Sequence, residues 1–129
     1  MIRPHMASVL VDDQSRAEAF YVGTLGLAKA ADIALGEGRW LTVQGGDGQG
    51  VELLLEPTGY DFARDYQRAL YAQGVPAMSL RCDDLNAEVD RLTGLGVRFR
   101  GEPTPGSQCT PATAIVEDGC GNLIMLVEG

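Results

Sequence analysis

EDGCGNLIMLVE, Glu117 to Glu128, is the stretch from which the fold can be read. A Gly/Asp turn runs straight into Leu, Ile and Val, the pattern of a tight hairpin entering a buried strand. About seventy residues earlier, GGDGQGVELLLE at Gly45 to Glu56 repeats it in weaker form. Each copy closes one half of the chain. Working outward, MASVLVDD at Met6 to Asp13 answers AMSLRCDD at Ala77 to Asp84, and TLGL at Thr24 to Leu27 answers GLGV at Gly94 to Val97. Each half reads strand, Asp-Asp, helix, Leu-Gly, then three more strands. The expected fold is therefore α+β, two tandem βαβββ modules. Module one is expected over about residues 5–56, a linker helix over about 57–75 and module two over about 76–129, together one domain spanning 1–129.

The chain's 129 residues are enough to bury a core without staples, and a hydrophobic fraction of 45% is globular. No apolar run reaches the length of a membrane span. No charged, apolar leader opens the sequence, so a cytoplasmic location is expected. A net charge of -8 argues against nucleic acid, whose phosphates attract Lys and Arg. Cys82, Cys109 and Cys120 are an odd number without CxxC spacing, which supports neither a disulfide framework nor a zinc knuckle. His5 is the only histidine, so any Ser-His-Asp, Cys-His or multi-His arrangement would have to use it.

Met6 to Val11 alternates, with Ala7, Val9 and Val11 on one face and Met6, Ser8 and Leu10 on the other. Asp13 stands where a helix N-cap belongs, Ala17, Phe20 and Tyr21 follow at helical spacing, and Gly26 ends the helix. Strands over Lys29–Leu35 and Arg39–Gln44 are joined by Gly36-Glu37-Gly38. In the second, Leu41 and Val43 oppose Trp40, Thr42 and Gln44. The loop GGDGQG lacks the Lys-Ser/Thr ending and following helix of a phosphate cradle, so it reads as a hairpin turn. Val51 to Glu56 alternates again, with Glu52, Leu54 and Glu56 sharing a face.

Phe62, Tyr66 and Leu70 recur at i, i+4 and i+8, so a helix with an aromatic stripe is expected from about Asp61 to Gln73, stopped by Gly74. It either packs on a barrel edge or subunit contact, or forms a lid. In the second half Met78, Leu80 and Cys82 alternate with Ala77, Ser79 and Arg81. Asp84 caps a helix whose apolar face is Leu85, Val89, Leu92 and Leu95. Strands near Val97–Gly101, Thr110–Glu117 and Leu123–Glu128 complete the module. Cys120, between two glycines, is read as exposed enough to react, with nothing basic nearby to lower its pKa.

FYVGTLGL at Phe20 to Leu27, the two strand-Asp-Asp-helix openings and the closing DGCGNLIMLVE resemble the vicinal oxygen chelate superfamily of glyoxalase I, extradiol dioxygenases and bleomycin-resistance proteins. More narrowly, VDDQ, GEGRWLTV at Gly36 to Val43 and VELLLEP resemble a bacterial subgroup labelled glyoxalase-like or dioxygenase-like. The resemblance covers essentially the whole chain. It implies that each module curls its sheet around a shared cavity, and that two copies, often a homodimer with swapped modules, complete each site.

In metal-dependent members the resemblance places ligands on cavity-facing positions of each module's first and last strand. Those positions are here Met6, Ala77, Glu52 and Met125, of which only Glu52 binds a hard divalent cation well. His5 lies one residue away and points to the opposite face. No metal or other cofactor is therefore expected, with a divalent metal as the disfavoured alternative.

With this face assignment the ligand-binding residues are Met6, Ser8, Trp40, Thr42, Gln44 and Glu56 from the first half. Ser79, Arg81, Thr113 and Met125 come from the second. This is a mostly apolar cup suited to a small molecule. Trp40 either stacks on a planar or cationic ligand or plugs the barrel mouth. Glu52 is the candidate catalytic base, unless it pairs with Arg81 or Arg39. Three functions compete: a small-molecule-binding homodimer without the usual metal site; a lyase, isomerase or dioxygenase that uses a metal or Glu52 as base; or a partner subunit with a vestigial cavity. Neither membrane nor nucleic acid is an expected partner.

Overall fold

The computed structural model describes residues 1–129, and its contacts divide the chain into two compact units, Met1–Arg64 and Asp65–Gly129. The first unit begins with β1 (Met6–Val11) and α1 (Gln14–Glu18), which continues as a π-helical turn over Ala19–Thr24. Three strands follow, β2 (Ala28–Leu35), β3 (Gly38–Gln44) and β4 (Glu52–Pro57). They form one sheet in the order β1-β4-β3-β2. Its first and last strands run parallel, with Met6 opposite Glu52 and Leu10 opposite Glu56, while β3 pairs antiparallel with both neighbours. Helix α2 (Asp61–Ala72) carries the chain into the second unit.

The second unit holds β5 (Met78–Cys82), α3 (Leu85–Gly94), β6 (Thr113–Glu117) and β7 (Leu123–Glu128). Its sheet has the order β5-β7-β6, again with the first strand parallel to the last. The strand expected near Val97–Gly101 does not form as such. That segment runs beside β6, with Arg100 N–H donating to Ile115 O at 2.8 Å and Glu117 N–H to Arg98 O at 2.9 Å, and it makes only isolated bridges at Phe99–Val116 and Thr104–Thr113. The composition explains it. Pro103 and Pro105 have no N–H to give a ladder, and Gly101 takes φ +80, so the chain bends before a strand can propagate. Pro111 likewise delays β6 to Thr113.

Both helix starts are where the Asp-Asp pairs put them. Asp13 accepts Arg16 N–H at 2.9 Å and Asp84 accepts Ala87 N–H at 3.0 Å, caps worth about 1 kcal/mol each. Glu128 adds a second anchor on α3, accepting Leu85 N–H at 2.8 Å. The π-helical turn, marked by Leu25 N–H to Phe20 O at 2.8 Å, keeps Tyr21 fully buried and sets Phe20 edge-on to it, the ring centroids 5.1 Å apart. In each unit the helix lies against one side of the sheet. In the first, Val9, Val11, Leu41, Val43 and Leu55 bury with Ala17 and Tyr21; in the second, Ala114, Val116, Ile124 and Leu126 bury with Leu85 and Leu92. Truncating any of these large side chains to alanine costs about 2–5 kcal/mol. The opposite face of each sheet carries the alternate residues.

Gln14 has a structural task that its place in the sequence does not announce. The β3–β4 ladder pairs Thr42 with Leu54 and Val43 with Leu53. Further along, the Gln14 amide donates to Arg39 O at 2.7 Å and Leu55 O at 2.9 Å and accepts Arg39 N–H at 3.0 Å. One side chain thereby satisfies three backbone groups of two neighbouring strands and pins α1 to both.

Helix α2 spans nearly the expected range and ends before Gly74, which takes φ +72. Its aromatic stripe points outward: Phe62 is 72% and Tyr66 62% exposed, and Tyr60 stacks on Phe62 with centroids 5.3 Å apart. The buried positions are Ala63 and Gln67. No helix is long and apolar enough to cross a membrane.

Candidate functional site

The open face of the first sheet is built by alternation. Glu52, Leu54 and Glu56 of β4 share a side, and the β1 register adds Met6, Ser8 and Leu10 opposite them. Thr42 lies opposite Leu54, and Trp40 and Gln44, each two residues from Thr42 on β3, point the same way. Every first-half residue proposed from sequence therefore falls on one face. Leu54 and Thr42 form its buried centre, Met6, Leu10, Gln44 and Glu52 are half-buried, and Ser8 and Glu56 are exposed. Trp40 stands at the margin, 36% exposed.

Two electrostatic features separate this face from an ordinary sheet surface. Thr42 is 0% exposed, and its hydroxyl Oγ1 is buried without any hydrogen-bond partner. A hydroxyl left in that state costs about 1–3 kcal/mol, and sequence alternation could place the residue but not reveal the missing partner. Glu52 and Glu56 make no ion pair. Within the first unit, Arg39 does not partner Glu52. Arg39 points to the helix side, where it bonds Glu18 at 2.6 Å and Asp32 at 2.7 Å, and Lys29 bonds both carboxylates at 3.0 Å. Hydrogen bonds from Arg39, then from Lys29, hold the Glu18 and Asp32 carboxyls below their usual range. Bonds to Asp32, then to Glu18, raise Lys29 and Arg39.

The open face of the second sheet is made of Ser79 and Arg81 on β5, Met125 and Val127 on β7, and Thr113 and Ile115 on β6, paired across in that register. Ser79 and Arg81 are exposed, the other four half-buried. At its edge Tyr71 donates to Glu117 Oε1, and the Arg100 guanidinium lies 4.9 Å from the Tyr71 ring centroid and 3.8 Å from Glu117.

The register corrects the sequence alignment of the two modules. Ala77, the counterpart of Met6, gives its N–H to Leu123 O at 2.8 Å and lies one residue before the pair Met78–Ile124. The counterpart of Glu52 is thus Leu123, and Met125 answers Leu54. The glycines agree: Gly48 and Gly119 take φ +75 and +72, Gly50 and Gly121 φ +91 and +99. The two-residue offset left Met125 on the predicted face, because the strand period is two.

The donor chemistry does not fit the divalent metal that the resemblance suggests. In the first unit Glu52 stands opposite Met6, a soft thioether, and in the second Ala77 and Leu123 offer no ligand atom. No three His, Cys, Asp or Glu side chains gather where they could hold an ion.

Cys120 is fully buried, which overturns the expectation of an exposed thiol. It sits inside a polar network that sequence reading missed. Asp118 Oδ1 accepts Cys120 N–H at 2.7 Å and Asn122 N–H at 3.0 Å, and Asp118 Oδ2 accepts Asn122 Nδ2 at 2.7 Å. Gln67 on α2 donates to Cys120 O at 3.0 Å and Asn122 Oδ1 at 3.3 Å. A polar residue on a helix's buried stripe was the available signal. All three cysteines are free, and burial, with Glu88 and other nearby carboxylates, pushes the Cys82 thiol up.

Residues 3–126 match the Glyoxalase/Bleomycin resistance protein/Dioxygenase superfamily. Uncharacterized protein YurT of Bacillus subtilis (strain 168) is 40% identical over 124 residues, covering 95% of this chain and 96% of YurT. Among solved structures, UcmS2 aligns with a TM-score of 0.85 at 29% identity, covering 100% of this chain and 99% of its own. TnmS3, an antibiotic binding protein from Streptomyces sp. CB03234, aligns at 0.76 and 30% identity, covering 99% and 96%. With its whole length matched and both sheets built on the same plan, the chain belongs to the glyoxalase/bleomycin resistance protein/dioxygenase superfamily.

Proposed function

We propose that this protein binds a small organic molecule on the open face of its first sheet and does so without a metal. The observation that carries the reading is the fully buried, partnerless Thr42 hydroxyl, set on the face that also presents Trp40 and the unpaired Glu52. A buried hydroxyl without a partner in the chain calls for one from outside it, and a bound molecule or an ordered water can supply it. The likeness to TnmS3, an antibiotic binding protein, supports a small-molecule-binding role. A second reading rests on Glu52 alone: a carboxylate with no ion pair is available as a general base for a lyase or isomerase step.

The test is a thermal-shift screen of antibiotics against wild type and Trp40→Ala. At least one compound is expected to raise the wild-type transition by several degrees, and the shift is expected to shrink in the variant. A screen in which no compound moves the wild type removes the reading, and conversion of a hit to product that stops in Glu52→Gln moves it to the enzyme alternative.

We further propose a homodimer. Strands β1 and β2 are sheet edges, and Ile33 and Leu35 on β2 are largely exposed, a pattern that a second copy relieves. Light scattering that gives a monomer mass at every concentration removes this proposal.

A further inference from the structure

We infer that the ligand class for the first sheet's open face is an organic cation bearing a flat ring. The inference rests on the binding role proposed above and names its ligand. No basic side chain of the four strands points to this face. Lys29 and Arg39, the only cations on β2, β3 or β4, are engaged with Glu18 and Asp32 on the helix side. Glu52 and Glu56 therefore stand uncompensated, about 13 Å apart along β4 with Leu54 midway. Met6 and Leu10 flank them across the β1 pairing, which gives a ring an apolar floor between two carboxylates.

Trp40 borders the same face, and an indole attracts a cation through its negative ring face. Thr42 Oγ1 adds the independent sign of a ligand. It is wholly buried and unpartnered, and a hydroxyl accepts from an ammonium or ring amine as readily as from water. A neutral ring gains the floor and the indole but not the carboxylates. An anion meets two like charges on a chain of net charge -8.

Three acridines that share one ring system test this by calorimetry at neutral pH: proflavine, a cation; acridine, neutral; and acridine-9-carboxylate, an anion. Proflavine is expected to bind about tenfold or more tightly than acridine, and the carboxylate weakest of the three. Glu52→Gln and Glu56→Gln are each expected to cut the proflavine-to-acridine ratio several-fold with acridine itself unmoved. Thr42→Val is expected to weaken proflavine while leaving the free protein at least as heat-stable, because the variant removes the orphaned hydroxyl without changing the side chain's shape. Equal binding of cation and neutral ring, or a ratio unmoved in the double glutamine variant, overturns the cation inference and leaves the binding role standing. Binding of none of the three overturns the inference of a flat-ring cation, and the antibiotic screen described above then decides the binding role separately.

Discussion

The same turn occurs twice in this protein, and its two copies have been put to different uses. In the first unit Asp47 accepts Gln49 N–H at 3.0 Å, and in the second Asp118 accepts Cys120 N–H at 2.7 Å; the flanking glycines take matching positive φ angles. The surroundings differ. Asp47 is exposed and its turn is followed by Val51, whereas Asp118 is buried and followed by Asn122, whose backbone and amide both bond back to it. Gln67 then locks the second turn to α2. One turn only reverses the chain; the other anchors a helix. The strands that follow have diverged in the complementary sense, β4 presenting free carboxylates on its open face and β7 presenting the half-buried Met125 and Val127.

Aspartate replacement tests this contrast most strongly. Asp118→Ala strands three buried donors and is expected to cost about 3 kcal/mol in urea unfolding, whereas Asp47→Ala is expected to cost under about 1 kcal/mol. Equal losses would show that the two turns are mechanically equivalent after all.

Glycine replacement sharpens it. Gly50→Ala and Gly121→Ala both force a side chain into a conformation worth about 1–2 kcal/mol of strain. Only at Gly121 would the new Cβ lie 2.7 Å from the Gln67 amide carbon, with nothing within 4 Å at Gly50. Gly121→Ala should therefore be worse by roughly another 1–2 kcal/mol, the amide being displaced from Cys120 O. In a Gln67→Ala background that excess should vanish, as a double-mutant cycle would record.

Acid is the gentlest probe. Glu18 and Asp32 have lowered pKa values, so their pairing with Arg39 and Lys29 stabilises the first unit fully above the ordinary carboxylate range. That contribution is lost as pH falls through their lower folded values, below about 4, whereas the raised Lys29 and Arg39 values move the alkaline loss above about 10. Amide protection factors, which refer each exchange rate to the intrinsic rate at the same pH, are expected to fall on acidification more in β2 and β3 than in β6 and β7. Solvent screens these exposed groups, so the difference is expected to be small.

Alternation carried most of what was legible. A period of two fixed which residues share a face on β1, β3, β4, β5 and β7, and two Asp residues ahead of apolar helical spacing fixed both caps. What stayed hidden depends on partners distant in the chain. Gln67 bonds groups 53 and 55 residues away, and Gln14 reaches Leu55 O across 41. Cys120 looked exposed because a Gly-flanked turn is usually a surface feature; α2 covers this one. The aromatic stripe of α2 was correctly spaced and yet faces outward, since periodicity finds a face without saying what lies against it. The unpartnered state of Thr42 is a property of its neighbours and has no local signature at all.

Strands β1 and β5 each have a single neighbour in their sheet, and in both cases it is the last strand of the unit. Met6 waits for Glu52, roughly 46 positions along the chain, while β2–β3 and β6–β7 close across short turns. Loop-closure entropy favours forming the hairpin first and adding the opening strand last, because a long-range parallel pair gains a template once the hairpin is in place. During synthesis MASVLV of β1 is made well before any ladder can receive it, and an apolar, β-prone segment in that position invites pairing with other chains. The arrangement that sets each opening strand beside the last strand of its unit thus leaves the newborn chain with an apolar strand unpaired until the rest of that sheet has been made.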